Sequence, residues 1–391
     1  MEPFEFVSPT RVLYGPGRRA EVGAILAELR LNRVLFVCGT RFREAPEFRE
    51  IYDHASDRIA GTFNDIPEHS SIDTVGKGVE VARELKVDGF LAVGGGTAID
   101  TAKAIALVVA EGGTIQDHCI RYEPPDILEY PVLPAPKLPI VALPTTGGSS
   151  AEVDGGGGVA DYSTGNKAGF YDAQLFPKVA ILDPELTVSM DPVTTAGTGL
   201  NALAHCIEAI FSNAKQPFST AFALEAIRVM TKNLPICVHE PNNIEARGQQ
   251  QIAVSMSGIA MINSIVGVQH AFGHVLGVYK GLPHGVANAI MLPHSVAFNA
   301  PCVPDELLRI GDAMGVQNLT PDDDGVQAVL DRIRSFCRDE LDAPHRLRDW
   351  GVQKDELSKI AAIAQTDMTM YFNPRSISDA SELVPVLEAA W

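Results

Sequence analysis

Four histidines and one asparagine occur at spacings that could build a shared site. His270 and His274 are four residues apart, so a helix would project both imidazoles from one face. His284 follows His274 by ten residues, just beyond a Gly-Leu-Pro break, and Asn201 and His205 form a second pair four residues apart. Side chains on facing helices can converge on one point, as in the metal sites of helix bundles. The spacing therefore predicts a metal site, or a site derived from one, formed by Asn201, His205, His270 and His284.

A glycine-rich stretch, GGGTAIDTAKAIAL, follows a predicted strand and opens a predicted helix at Gly94–Leu107. Glycines lack side chains, so backbone N–H groups and the helix N-terminus can face an anion there. Lys103 could add a positive charge. The stretch is predicted to bind the phosphates of a nucleotide, with contacts from Gly94, Gly95, Gly96, Thr97 and Asp100.

A second polar turn, PTTGGSSAE at Pro144–Glu152, also directly follows a predicted strand. Its hydroxyl groups could bond a ribose, a phosphate or a nicotinamide amide, and the predicted contacts are Thr145, Thr146 and Ser149. A polar turn with no ligand accounts for these residues equally well. The run of glycines from Gly155 to Gly158 is predicted to avoid helix and strand, forming a mobile loop or a close approach of backbone to ligand.

The elements that position these residues change character near Pro184. Before it, short β-rich runs alternate with helical runs, which predicts an α/β dinucleotide-binding domain with a mostly parallel sheet over residues 1–184. After it, long helical segments dominate, so residues 185–391 are predicted to form an all-α catalytic domain. The clearest predicted strands are Arg33–Cys38, Gly89–Val93, Ile140–Leu143 and Val179–Leu182.

Composition narrows the class of protein. A chain of 391 residues suits two domains, and a formal charge of −18 argues against nucleic acid or an anionic membrane as a partner. The six cysteines show no CxxC spacing, which favours free thiols in a reducing compartment. The N-terminus has no signal-peptide pattern, and no apolar run reaches membrane-spanning length. We expect a cytoplasmic enzyme that acts on a small-molecule substrate.

Five ordered motifs carry a family resemblance: GGGTAIDTAK, PTTGGSSAE, ILDPEL, GLNALAHCIEA and HAFGHVLGVYKGLPHG. Their order and approximate spacing resemble those of the iron-containing (group III) alcohol dehydrogenase superfamily. The resemblance implies hydride transfer between NADH or NADPH and a substrate in the cleft between two domains, and a homodimer. It also implies metal ligands at Asn201, His205, His270 and His284, with His274 near the nicotinamide as proton donor or relay.

Asn201 departs from the family pattern, which has aspartate at this position. An amide oxygen is a neutral and weaker ligand than a carboxylate, so binding of Fe²⁺ or Zn²⁺ is an open question. The Asn-Ala-x-Ala-His pattern resembles the maleylacetate reductase branch, which is thought to work without metal. Asp100, the PTTGGSSAE turn and Pro283-His284-Gly285 resemble ordinary alcohol dehydrogenases instead.

The predicted function is therefore NAD(P)H-dependent reduction of a carbonyl or enone in a small carboxylated substrate, as in a maleylacetate reductase of aromatic catabolism. Without a metal, hydrogen bonds from His274, His270 or His205 would stabilise the product oxygen, and Lys280 or Lys167 could bind the carboxylate. A solvated surface position accounts for either lysine at least as well. The alternative is an Fe²⁺- or Zn²⁺-dependent dehydrogenase of small alcohols and aldehydes. Glycerol dehydrogenase and dehydroquinate synthase types share the architecture, and a non-catalytic dinucleotide-binding protein is the non-enzyme alternative.

Gly39 bears on the choice of cofactor. NAD-preferring relatives carry an acidic residue after the second strand, where this chain has Gly39 followed by Arg41 and Arg43. A missing carboxylate removes repulsion against a 2′-phosphate, so the sequence predicts that NADPH is accepted as well as NADH.

Overall fold

The fold is an alternating α/β half followed by a helical half. In this computed structural model, residues 3–391 are described. The strands are β1 Arg11–Tyr14, β2 Val34–Cys38, β3 Ile59–Phe63, β4 Gly89–Gly94, β5 Arg121–Glu123, β6 Ile127–Glu129, β7 Ile140–Pro144, β8 Gly156–Asp161, β9 Asn166–Tyr171 and β10 Val179–Leu182. The α-helices are α1 Val22–Glu28, α2 Pro46–Ala55, α3 Ile72–Glu84, α4 Gly96–Glu111, α5 Pro192–Phe211, α6 Pro217–His239, α7 Ile244–Ile262, α8 Val268–Lys280, α9 His284–Asn299, α10 Pro304–Ala313, α11 Asp323–Ser335, α12 Leu357–Gln365 and α13 Val384–Ala390.

Six strands form one parallel sheet in the order β3-β2-β4-β7-β10-β1. The chain winds outward from β2 to β3 and then returns to place β4 on the other side of β2, so the direction of winding reverses between β2 and β4. The carboxyl ends of strands at such a switch point border a ligand crevice. Gly39 follows β2 and the glycine-rich turn follows β4, so both lie on this edge of the sheet.

The sheet is buried on both faces. Helices α3 and α4 cover one face, with Phe63, Ile105 and Phe170 in the apolar layer, and α1 and α2 cover the other around Phe36 and Ile51. Burial on two sides is why the strands read as continuous apolar runs. The four strands predicted from sequence are all present, and the predicted parallel α/β architecture is confirmed.

The glycine run at 155–158 forms part of a hairpin, so the prediction that it avoids strand structure was wrong. Strands β8 and β9 pair antiparallel, with Gly157 opposite Phe170. A Cβ on Gly157 would lie 2.8 Å from Cζ of Phe170 and 3.0 Å from Cγ of Asp100. The glycines are therefore needed for close packing of the hairpin against α4, which outweighs their low preference for strands.

In the helical half, α5 is the central element. Its buried side chains share one apolar core with α6, α7 and α9. Helix α8 ends at Lys280 and is followed by Gly281, whose φ of 73° lies in the left-handed region. Pro283 precedes His284 at the start of α9. The predicted all-helical second half is confirmed. No helix within residues 3–391 has both the length and the apolar character needed to cross a membrane.

Replacing Gly157 with alanine tests the packing of the hairpin. The added methyl group would clash with Phe170 and Asp100, and we expect the free energy of unfolding to fall by about 1–3 kcal/mol. Gly76→Ala on α3 is the control, because a Cβ there meets no atom within 4 Å. That change should raise stability by roughly 0.5–1 kcal/mol, as for glycine to alanine in an open helix position. Urea unfolding measures both, and equal effects would contradict the packing argument.

Candidate active site

One deep cleft separates the sheet from the helical half. Its volume is about 800 Å³, within the usual range of ligand-binding cavities. The carboxyl edge of the sheet lines one end, and helices α5, α8 and α9 line the other. The glycine-rich turn and the histidines predicted from sequence therefore face the same space.

The four predicted histidines meet at the helical end of the cleft. The ring centroids of His205 and His270 are 4.7 Å apart, those of His270 and His284 are 6.1 Å apart, and those of His274 and His284 are 5.8 Å apart. His205 and His270 are almost fully buried. We call the space enclosed by these rings and Asn201 the histidine chamber.

Two side-chain amides hold the rings of the chamber in place. Nδ2 of Asn201 donates to the carbonyl oxygen of Gly148 at 2.8 Å and lies 3.3 Å from Nε2 of His205. Nδ2 of Asn288 donates to Oδ1 of Asn201 at 2.8 Å and lies 3.0 Å from Nε2 of His284. The amides form a chain of hydrogen bonds that runs from α9 through α5 to the loop after β7.

A buried carboxyl group orients His270. Oε2 of Glu208 contacts Nδ1 of His270, and Oε1 accepts the backbone N–H groups of Gly267 and Gln269, each at 2.9 Å. Burial raises the pKa of Glu208 to about 8 and lowers the pKa of His270 well below its usual value. Both shifts have the same cause, since a water-poor interior disfavours charge, so we take the pair to be uncharged near neutral pH.

A second carboxylate orients His274. Nδ1 of His274 lies 2.8 Å from Oδ2 of Asp367, whose Oδ1 accepts the backbone and hydroxyl of Thr369. Burial alone would raise the pKa of Asp367, but the His274 ring and the Thr369 hydrogen bonds outweigh it and lower this pKa to about 2. Asp367 is therefore a carboxylate at neutral pH, and it fixes the His274 ring with Nε2 left free.

The residues of the chamber do not fit a divalent metal ion. The amide nitrogen of Asn201, rather than its oxygen, faces His205, and nitrogen in an amide has no lone pair to give a metal. Three buried ring nitrogens do lack partners, namely Nδ1 of His205, Nε2 of His270 and Nδ1 of His284. Yet no group of three or more His, Cys, Asp or Glu side chains within residues 3–391 is arranged to hold one ion. Unpartnered nitrogens alone do not make a metal site, because its ligands must also point at one shared position.

The two predicted cofactor turns meet at the sheet end of the cleft. A Cβ on Gly95 would lie 3.2 Å from Thr146, and one on Gly96 would lie 2.6 Å from Cβ of Ser149. The two glycines therefore allow the turns to pack together while their backbone stays open to a ligand. Gly95, Gly96, Thr97, Asp100, Thr146 and Ser149 line the cleft. This open backbone at a helix N-terminus fits the phosphates of a dinucleotide.

Three predicted cofactor residues do not line the cleft. Gly94 is the last residue of β4, and its φ of 149° explains why glycine is needed there. Thr145 donates its backbone N–H to Gly94 at 3.0 Å, behind the cleft wall. Gly39 is not part of the cleft wall itself, although Arg41, two residues further along the chain, lines it.

Two lysines that the sequence suggested as sources of positive charge in the site bind other groups of the protein instead. Nζ of Lys103 is buried and donates to the carbonyl oxygen of Gly156 at 2.8 Å, so it cannot also reach a phosphate. Nζ of Lys280 bonds both carboxylate oxygens of Glu356, at 2.7 and 2.8 Å. Lys167 does line the cleft.

Glu208, Asn288 and Asp367 were missing from the predicted site. Glu208 follows His205 by three residues and Asn288 follows His284 by four, so their helical spacing could have revealed them. Asp367 lies 93 positions beyond His274 and had no such signal.

The low pKa of Asp367 predicts how stability depends on pH. Because its folded pKa of about 2 lies below its ordinary value of 3.8, the ionised carboxylate stabilises the fold above pH 4 and loses that effect as the pH falls. We expect this contribution to be about 2 kcal/mol near pH 6 and about half of that at pH 3. Asp367→Asn removes it, so urea unfolding should show a gap between wild type and variant that narrows on acidification. A gap that stays constant between pH 6 and pH 3 would refute the assignment.

Comparison with known proteins gives the family. The profile described as iron-containing alcohol dehydrogenase matches residues 9–184, and that of the C-terminal part of the Fe-containing alcohol dehydrogenase family matches residues 195–391. The chain is 31% identical to the NAD-dependent methanol dehydrogenase of Bacillus methanolicus over 388 residues, which are 97% of this chain and 98% of that one.

Solved structures of members of this family have the same fold as this chain. A crystal structure of 1,3-propanediol oxidoreductase superposes with a TM-score of 0.91 at 27% identity, covering 100% of both chains. Maleylacetate reductase from Agrobacterium tumefaciens superposes with a TM-score of 0.79 at 25% identity, covering 100% of this chain and 99% of that one. The chain thus belongs to the iron-containing alcohol dehydrogenase family and is an NAD(P)-dependent oxidoreductase.

Proposed function

We propose that the protein interconverts small alcohols and aldehydes with NAD(H) or NADP(H). The observation that carries this proposal is the position of His274. It is one of the four rings of the histidine chamber and lines the cleft, and Asp367 holds its ring by Nδ1. Within residues 3–391, Nε2 of His274 has no hydrogen-bond partner, so it can exchange a proton with a substrate oxygen.

The chemistry divides between cofactor and protein. NAD(P)H, when bound, supplies the hydride that reaches the carbonyl carbon. Gly95, Gly96 and Ser149 would hold its phosphates and ribose by the open backbone and hydroxyl described above. His274 donates the proton that the product oxygen needs, and in alcohol oxidation it takes that proton back. Asp367 stabilises the ring when it is positively charged.

The walls near the chamber suit a small apolar substrate. They consist largely of aliphatic side chains, namely Met261, Ile262, Ile265, Val266, Val278 and Val286. Among the described residues that line the cleft, the arginine and lysine side chains are those of Arg41 and Lys167 alone. The wall therefore offers few positively charged partners for a dianionic substrate. The names of the relatives, a methanol dehydrogenase and a 1,3-propanediol oxidoreductase, support the same substrate class.

A carboxylated substrate such as maleylacetate is the second candidate, favoured by one observation. The side chain of Lys167 lines the cleft, where burial lowers the pKa of its amine and the nearby Asp100 and Asp367 oppose that shift. This side chain could receive a carboxylate. Asn201 also matches the reductase branch.

Steady-state kinetics with butanal and with maleylacetate, each with NADH, distinguishes the two candidates. We expect a higher kcat/KM for butanal, and oxidation of 1-butanol in the reverse direction. His274→Ala should lower kcat by about 10²–10⁴, the usual share of a general acid, which shows that the rate arises at this site. Turnover of maleylacetate with none of the small aldehydes would reverse the order of the candidates. No turnover of either would sink the proposal.

Cofactor preference gives a further test. The open backbone at Gly39, where a Cβ would meet no atom within 4 Å, leaves room for a 2′-phosphate near Arg41. Gly39→Asp should lower kcat/KM for NADPH relative to NADH by about a hundredfold, or roughly 2.7 kcal/mol, through charge repulsion. Gly39→Ala is the matched control, since it adds bulk without charge and should leave the ratio unchanged. An equal loss in both variants would point to steric hindrance instead.

A further inference from the structure

We infer that the histidine chamber works without a bound divalent cation, because the amide chain of Asn201 and Asn288 occupies the donor positions that a metal would use. The inference concerns the same chamber as the proposed function. It does not depend on which substrate the enzyme takes, since metal binding can be measured directly.

The orientation of the Asn201 amide is fixed by the backbone. Its nitrogen donates to the carbonyl oxygen of Gly148 at 2.8 Å. Turning the amide over would place two oxygen atoms against each other at that distance, which costs a buried hydrogen bond. The nitrogen, which cannot bind a metal, therefore stays toward His205.

The Asn288 amide is fixed in the same way. Its nitrogen lies within 3.0 Å of Oδ1 of Asn201, Nε2 of His284 and the carbonyl oxygen of His284. Its oxygen accepts Nε2 of Gln269 at 3.0 Å. The amide oxygen of Asn201, the one atom of that side chain that could bind a cation, is thus already bonded to Asn288.

The chamber also offers no anionic ligand to an incoming cation. Both carboxyl groups nearby are directed at the outer nitrogens of histidines, Glu208 at Nδ1 of His270 and Asp367 at Nδ1 of His274. A doubly charged ion would lose its hydration shell here with only neutral side chains as ligands, and the Asn201 nitrogen that faces His205 has no lone pair to offer it.

The amide chain leaves hydrogen-bond donors in place of the metal. Nε2 of His205 and of His284 accept amide hydrogens, so each neutral ring carries its own hydrogen on Nδ1. Both Nδ1 atoms are buried and unpartnered within the described residues. An oxygen of the substrate or of an ordered water is the acceptor that would satisfy them.

Titration with Co²⁺ tests the inference, because bound cobalt shows d–d absorption that reports its ligands. The protein is stripped with a chelator, titrated with Co²⁺ and with Zn²⁺, and assayed with NADH and butanal before and after. We expect no saturating cobalt spectrum and no loss of activity on chelation. One equivalent of metal bound with a Kd below about 1 µM, or activity lost on chelation and restored by metal, would overturn the inference.

Two variants show whether Asn201 is the reason. Asn201→Asp supplies the missing carboxylate. We expect its affinity for Co²⁺ and Zn²⁺ to be at least roughly 10–100-fold higher than that of the wild type, which is the effect that single groups around a metal usually have. Asn288→Ala is the matched control, since it frees the amide oxygen of Asn201 without adding charge, and we expect it to gain much less affinity than Asn201→Asp. Thermal unfolding verifies that each variant is folded. If Asn201→Asp folds and still binds no metal, the assignment to Asn201 is wrong, and if Asn201→Asp does not fold, the wild-type titration alone decides.

Discussion

Close backbone contact at three glycines holds the two halves of the site together. A Cβ on Gly197 of α5 would lie 2.9 Å from the backbone of Gly285 on α9, and one on Gly148 would lie 2.0 Å from the carbonyl oxygen of Thr198. These contacts let α9 and the loop after β7 approach α5 without intervening side chains. Asn201, one turn further along α5, then reaches both Gly148 and Asn288. Side chains at the glycines would separate the helices and break the amide chain.

Burial then determines the charge of each group in the chamber. Removal from water lowers the pKa of His205, His270 and His284 well below the usual value. These rings are therefore neutral, and neutral imidazoles can both accept and donate hydrogen bonds. His274 differs because it is partly open to the cleft and faces the carboxylate of Asp367. His274 is therefore the ring that both reaches the cleft and is held by a charged partner.

The sequence predicted regular elements well and side-chain partners poorly. The strands, the helix pair with His270 and His274, and the cofactor turns followed from periodicity and glycine placement, which are local properties. The hairpin at Gly156–Asp161 was missed because its glycines are required by Phe170 and Asp100, which are distant in the chain. Lys103 and Lys280 were misjudged for the same reason. Their partners, Gly156 and Glu356, become neighbours only after folding.

Asparagine at position 201, where the family pattern has aspartate, changes more than a single metal ligand. A carboxylate cannot donate a hydrogen bond, so aspartate there could not make the bond from Nδ2 of Asn201 to the carbonyl oxygen of Gly148. Gly148 lines the cleft in the turn that also carries Ser149. With asparagine, the single amide of Asn201 contacts both the turn expected to bind the cofactor and the ring of His205. The same amide that excludes a cation thus fixes the chamber relative to the cofactor turn, which a metal and its carboxylate ligand would otherwise have to do.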